Sequence, residues 1–252
     1  MKRFLLLLKL EYEGMFFPLC IIVAVMAALQ LLLFGRRLRS ALGFESLAYF
    51  VETGSTAIVF AVMFAALLAL IGARLAMNYT PSKSIYALLT LPVGRRQVYL
   101  AKLAAALLAG FVLIAAQMVL LLIFYYFTAR QDAGFYGEFG LGIPHGDLYL
   151  SLLRASFLRI LFPPELLSLA FSLSGFFGTI CMILYVAAKL KSGSKLFAVI
   201  VPAVWLALLL IAFPLYENGP GFNIVILALL VAVPVAVSIK GIKLFETGEV
   251  AG

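Results

Sequence analysis

The stretch Leu103–Thr128 reads LAAALLAGFVLIAAQMVLLLIFYYFT, 26 residues without an acid, a base or a histidine. As a helix rising about 1.5 Å per residue, it is long enough to cross the roughly 30 Å hydrocarbon core of a bilayer. Five further runs share this character: Met15–Phe34, Ser55–Ala73, Leu166–Ala188, Leu196–Leu215 and Asn223–Ile239. Backbone groups exposed to hydrocarbon must be hydrogen-bonded within their own segment, and the runs lack the alternation of barrel strands. The fold class expected is therefore an all-α integral membrane protein with six transmembrane helices, forming a single transmembrane domain over residues 1–252.

Composition agrees with this reading. Of 252 residues, 65% are hydrophobic and 12% charged, against roughly 25% charged in soluble domains. The net charge of +8 sits in short loops between apolar runs and forms no extended stripe, so membrane lipids are the expected partner and nucleic acid is not. Cys20 and Cys181 both fall inside apolar runs and read as small buried hydrophobes. Met1-Lys2-Arg3 followed by leucines imitates a secretory signal, but Lys9, Glu11 and Glu13 interrupt it, and an uncleaved chain is expected.

Basic residues orient the chain. With the N-terminus inside, the inner segments hold 13 of the 19 Lys and Arg, led by Arg74, Lys83, Arg95, Arg96 and Lys102 and by Lys189, Lys191 and Lys195. Arg36, Arg37 and Arg39 oppose this orientation, but seven of the eleven acids also fall outside. A cell membrane of bacterial type, crossed several times with both termini cytoplasmic, is expected.

Two flanking segments are amphipathic. In the first fourteen residues Lys2, Lys9 and Glu13 lie at helical spacing, with Phe4, Leu5, Leu7 and Leu8 largely on the other side. This segment either lies along the inner surface or simply extends the first span. In the outer loop Ala129–Pro164, the half from Asp147 to Phe162 is too polar to span; Asp147 could cap one helix ending at Pro163-Pro164, either as a surface helix or as a gate.

Chemistry is sparse. The only histidine, His145, stands apart from both cysteines, so no metal cluster is expected. Phe171-Ser172-Leu173-Ser174-Gly175 is similar to the serine segment of an intramembrane protease, but no span supplies a base. Ser174 with Gly178, and Ala101, Ala105 and Ala109, have instead the small-x-x-x-small spacing of close helix packing. Lys191-Ser-Gly-Ser-Lys195 is no phosphate loop, and spans without ionisable groups do not suit an ion-coupled carrier. The chain is not expected to be an enzyme, and an uphill transporter built from it would draw ATP energy from elsewhere.

The inner loop carries the most specific signal. Thr80-Pro81 suits the start of a short helix, Ile85, Leu88 and Leu89 form its apolar stripe, Pro92 stops it, Gly94 turns the chain, and Arg95 and Arg96 open the third span. Such a helix is shaped to dock on a soluble partner. The segment Leu88-Leu89-Thr90-Leu91-Pro92-Val93-Gly94-Arg95, with Lys102 beyond, resembles the one leading into the third of six spans in the permease subunits of ABC-2 type exporters.

That resemblance extends over the whole architecture. It implies a membrane-spanning permease that moves a substrate with ATP hydrolysed by a separate nucleotide-binding subunit. ATP and magnesium would bind that partner, with no cofactor in this chain, and a second permease, the same or homologous, would complete the assembly. Ile85, Leu88, Leu89, Thr90, Leu91, Pro92, Arg95 and Arg96 would couple to the ATP-binding subunit. Family members often carry a re-entrant outer segment between spans five and six, whereas only Tyr216–Phe222 stands there here. Gln30, Gln117, Ser172 and Ser174 are polar positions within spans: candidates for the substrate path, or for hydrogen bonding between helices. The path composition suits peptides, lipids or amphiphilic drugs equally. The alternative is a membrane anchor or scaffold that recruits a cytosolic partner without transport.

Overall fold

A computed structural model describes residues 2–40, 47–53, 55–77, 94–138, 147–163, 165–191, 195–215 and 220–247. Among them are nine helices and no strand. They are α1 (Lys2–Ser40), α2 (Leu47–Thr53), α3 (Thr56–Met77), α4 (Arg95–Glu138), α5 (Asp147–Arg154), α6 (Ser156–Leu161), α7 (Leu166–Lys191), α8 (Lys195–Leu215) and α9 (Pro220–Thr247). All six apolar runs fall on helices, in α1, α3, α4, α7, α8 and α9. Five helical segments are long and apolar enough to cross a membrane: Phe4–Arg39, Thr56–Leu75, Arg96–Arg130, Leu166–Leu190 and Ile226–Leu244. In α8 the apolar stretch is the shorter Val199–Leu210.

The side chains are arranged for lipid rather than water. On α1 alone Leu6, Phe17, Ile21, Val25, Leu29 and Leu32 are exposed, while Met26 and Gln30 are buried. Cys20, expected inside, is also exposed on α1, and Cys181 is buried in α7. The reason is the solvent: an apolar side chain on a spanning helix is as well placed against acyl chains as in a protein core.

Contacts divide the chain into two compact units. One comprises residues 1–19, 67–110 and 173–252; the other comprises residues 20–66 and 111–172. In the first, small residues allow close helix approach. Ala101, Ala105 and Ala109 are fully buried, and an added Cβ on Gly110 would come within 2.7 Å of Ile180. At Gly178 a Cβ would collide with the Trp205 indole and lie 2.8 Å from the Pro234 ring, so α8 and α9 both press on α7 at a residue without a side chain. The Trp205 indole N–H donates to Thr179 Oγ1 at 3.1 Å, and Leu209 approaches Gly175, so α7 and α8 run antiparallel.

In the second unit aromatic rings do the packing. Phe34 stacks on Phe124, with centroids 4.4 Å apart, and meets Phe50 at 5.4 Å. The Arg37 guanidinium lies 5.4 Å from the centre of the Tyr49 ring. This contact gives one arginine of the cluster that opposed the charge rule a structural use.

Two expectations are revised by these helices. Residues 2–14 are the first turns of α1, continuous with the apolar run, as the extension reading had it. The single helix expected from Asp147 is instead two, because Ala155 is extended (φ −73°, ψ 118°) and fully buried. The Ser156 N–H beyond it donates at 3.0 Å to the Glu52 carboxylate, which also accepts from Ser156 Oγ. A carboxylate from α2 thus takes over the donor that a continuous helix would have satisfied itself. His145 and the expected inner helix Thr80–Pro92 lie outside the described residues.

Gly178→Ala should lower the thermal unfolding midpoint in detergent clearly, by an overpacking cost of about 1–3 kcal/mol. Gly35→Ala, where a Cβ meets nothing within 4 Å, should leave the midpoint unchanged or raise it.

Candidate functional site

Of the eight candidate coupling residues, Ile85, Leu88, Leu89, Thr90, Leu91 and Pro92 lie outside the described residues. The chain is described again from Gly94, whose carbonyl accepts from the Gln97 N–H at 2.8 Å. Arg95 is the first residue of α4, and the Arg96 side chain is exposed. Within one turn α4 is fastened to the start of α1. Leu7 of α1 is buried with Val98 and Ala101, and Phe4 packs against the same cluster. One turn further along each helix, Lys102 Nζ meets Glu11 Oε1 at 2.5 Å, with the two side chains only 7% and 15% exposed.

Partners therefore advance together along the two helices, Leu7 with Val98 and Ala101, then Glu11 with Lys102, so α1 and α4 run parallel here. A cavity of about 20 Å³, room for a single water, lies beside the ion pair and is lined also by Met15, Ile71 and Arg74. The Arg74 guanidinium packs over Gly14, where a Cβ would meet it at 3.2 Å. The first four turns of α1, the end of α3 and the start of α4 thus form a charged joint at the two ends of residues 78–93.

Sequence reasoning singled out neither Glu11 nor Arg74 as a site residue. Each stands at the margin of an apolar run, as Lys102 does, and that position was the available signal. A pair separated by 91 residues gives no spacing to read.

The candidate path residues behave differently from one another. Gln30 and Gln117 come together in the second unit as a reciprocal amide pair. Gln30 Nε2 donates to Gln117 Oε1 at 2.8 Å, and Gln117 Nε2 returns a bond to Gln30 Oε1 at 3.2 Å. The two residues are 2% and 0% exposed. Each amide satisfies half of the other's needs where no water competes. Ser172 and Ser174 are half-buried in α7; Ser172 closes the second unit, and Ser174 belongs to the first. One turn beyond Gly175, Thr179 Oγ1 donates to the carbonyl of that glycine at 2.8 Å.

The comparisons with known proteins bear on this arrangement. A family described as ABC-2 family transporter protein matches residues 7–178, well over half of the chain. No curated protein and no solved structure matches. The chain belongs to the ABC-2 transporter family and is a multi-pass membrane permease. The match takes in the Glu11–Lys102 joint and the Gln30–Gln117 pair.

Two double-mutant cycles separate these contacts. Lys102→Met should destabilise the protein by about 3–5 kcal/mol, because Glu11 is left buried and unpaired, while Glu11→Gln combined with Lys102→Met should recover a large part of that loss. Gln30→Leu should cost about 1–2 kcal/mol and the double Gln30→Leu/Gln117→Leu less than the sum of its singles. Reversible unfolding in bicelles reads both.

Proposed function

We propose that this ABC-2 permease exports its substrate with ATP hydrolysed by a separate nucleotide-binding subunit that docks on residues 80–96. The observation that carries the proposal is the joint at Glu11 and Lys102. A subunit pressing on the loop meets the first turn of α4 immediately, and the ion pair with the Leu7 cluster passes that displacement to α1. Helices of 44 and 39 residues, about 66 Å and 58 Å long, then reach beyond the thickness of a bilayer. A stiff element that is displaced at one end and lines the protein at the other suits conversion of a nucleotide cycle into a change of access.

In this reading Ile85, Leu88, Leu89, Leu91 and Pro92 supply the apolar contact, Thr90 a polar one, and Arg95 and Arg96 the charge for the partner's surface. ATP and magnesium belong to that partner, and a second permease, identical or homologous, completes the assembly. The chain works as one transmembrane domain with six spans and both termini cytoplasmic in a cell membrane. The antiparallel course of α7 and α8 supports the sixth span: α8, 21 residues and about 31 Å long, is sufficient to return across the bilayer. The parallel course of α1 and α4 supports it too, since both cross from inside to outside with α3 returning between them.

In this reading Gln30 and Gln117 serve the path through their pairing. Paired, they close it to water; separated, they present two amides to a substrate. Ser172 and Ser174 add hydroxyls from α7. A non-transporting anchor would use the same docking loop but would not need the joint beyond it.

Leu89→Asp with Leu91→Asp should abolish co-purification of the ATP-binding subunit while the permease still folds. Glu11→Gln with Lys102→Met should leave co-purification intact but cut substrate-stimulated ATP hydrolysis several-fold. Unchanged stimulation in the second variant would remove the joint from the coupling route, and no stimulation by substrate in the unaltered protein would favour the anchor.

A further inference from the structure

Two short helices of the second unit, α5 and α6, are built for neither water nor the membrane interior. Ser151, Ala155 and Leu158 form their buried side, and both helices pack against α2. Elsewhere on them Tyr149, Leu150, Leu153 and Ile160 are exposed, Tyr149 by 60%. In water these side chains would form an apolar patch on a layer of only 14 helical residues. At about 12 Å and 9 Å the helices are also far too short to span.

Charge and neighbours identify the medium. The two helices carry Arg154 and Arg159 against a single acid, Asp147 at the start of α5, and both arginines are exposed. Tyr49 on α2 and Tyr126 on α4, in the same unit, are exposed as well, and tyrosine concentrates where hydrocarbon gives way to headgroups. Exposed apolar residues resume beyond the exposed Glu165 at Leu166 and Leu167, at the start of a membrane-crossing helix. Glu52 fixes the second helix through Ser156, so this layer is held on the protein whatever covers its other side.

We propose that α5 and α6 lie in the headgroup layer of the outer leaflet, with Tyr149, Leu150, Leu153 and Ile160 at the acyl boundary and Arg154 on lipid phosphate. The bilayer is the occupant because α5 and α6 pair exposed leucine, isoleucine and tyrosine with two exposed arginines against one acid, Asp147, a combination complementary to phospholipid. The inference uses the proposed orientation only to choose the leaflet; contact with lipid does not depend on ATP coupling.

The test uses the full chain, Cys20→Ala, in liposomes, with an environment-sensitive fluorophore on Leu153→Cys; Cys181 is buried and stays unlabelled. A nitroxide near the lipid headgroup should quench the label at least about twofold more than aqueous iodide, and more than a nitroxide at the chain end. In addition, Arg154→Gln should remove the blue shift seen on replacing neutral lipid by phosphatidylglycerol. Dominant quenching by iodide would place the helices in water, and quenching by neither agent would place protein over them; either result overturns the proposal. Shallow quenching confined to nitroxide in the cytoplasmic-side leaflet of oriented samples would retain lipid contact and overturn the orientation and the choice of leaflet.

Discussion

Hydrocarbon gives two leucine-covered helices no reason to prefer each other over lipid, so the association of α1 with α4 depends on contacts that lipid cannot imitate. In one unit these are the Glu11–Lys102 ion pair and the Leu7 cluster on Val98 and Ala101. In the other they are the amide pair of Gln30 and Gln117 and the stacked rings of Phe34 and Phe124. Each set advances in the same direction along both helices, which fixes register as well as proximity. A slip of one turn would leave two charges and two amides unpaired in a medium that cannot hydrate them.

The same constraint explains the use of small residues. Elsewhere van der Waals contact does most of the work, and backbones must come close for it to be large. Gly178 beneath Trp205 and Pro234, Gly241 against Tyr99 and Gly110 against Ile180 are places where this closeness is marked. The layer of α2, α5 and α6 obeys a different logic: Glu52, Ser156 and the ring of Tyr49 near Arg37 make polar contacts outside the apolar runs.

Much of the fold was legible because the bilayer makes it so. A charge-free run such as Leu103–Thr128 has few options, and all six runs fall on helices. The small-residue spacing of Ala101, Ala105 and Ala109 was equally readable, and all three are buried. Pairing over distance could not be read. Gln30 and Gln117 were each visible as polar residues in a span, but nothing local to either indicates that they meet. In sequence Glu11 reads only as a charge interrupting a signal-like start, and only the parallel course of α4 brings Lys102 to it. The break at Ala155 was hidden for the same reason, since the group that compensates it is Glu52, 104 residues away from Ser156. Cys20 was misplaced because a rule for water was applied to a surface in lipid.

In the proposed mechanism these contacts make α1 and α4 a receiver for force applied at the loop of residues 78–93. The most direct test is hydrogen–deuterium exchange on the permease in nanodiscs, alone and with its ATP-binding subunit, with and without ATP. The account predicts that protection appears across residues 78–98 on association and changes with nucleotide there and in the first three turns of α1. Exchange in these segments that is indifferent to the subunit and to ATP would contradict it.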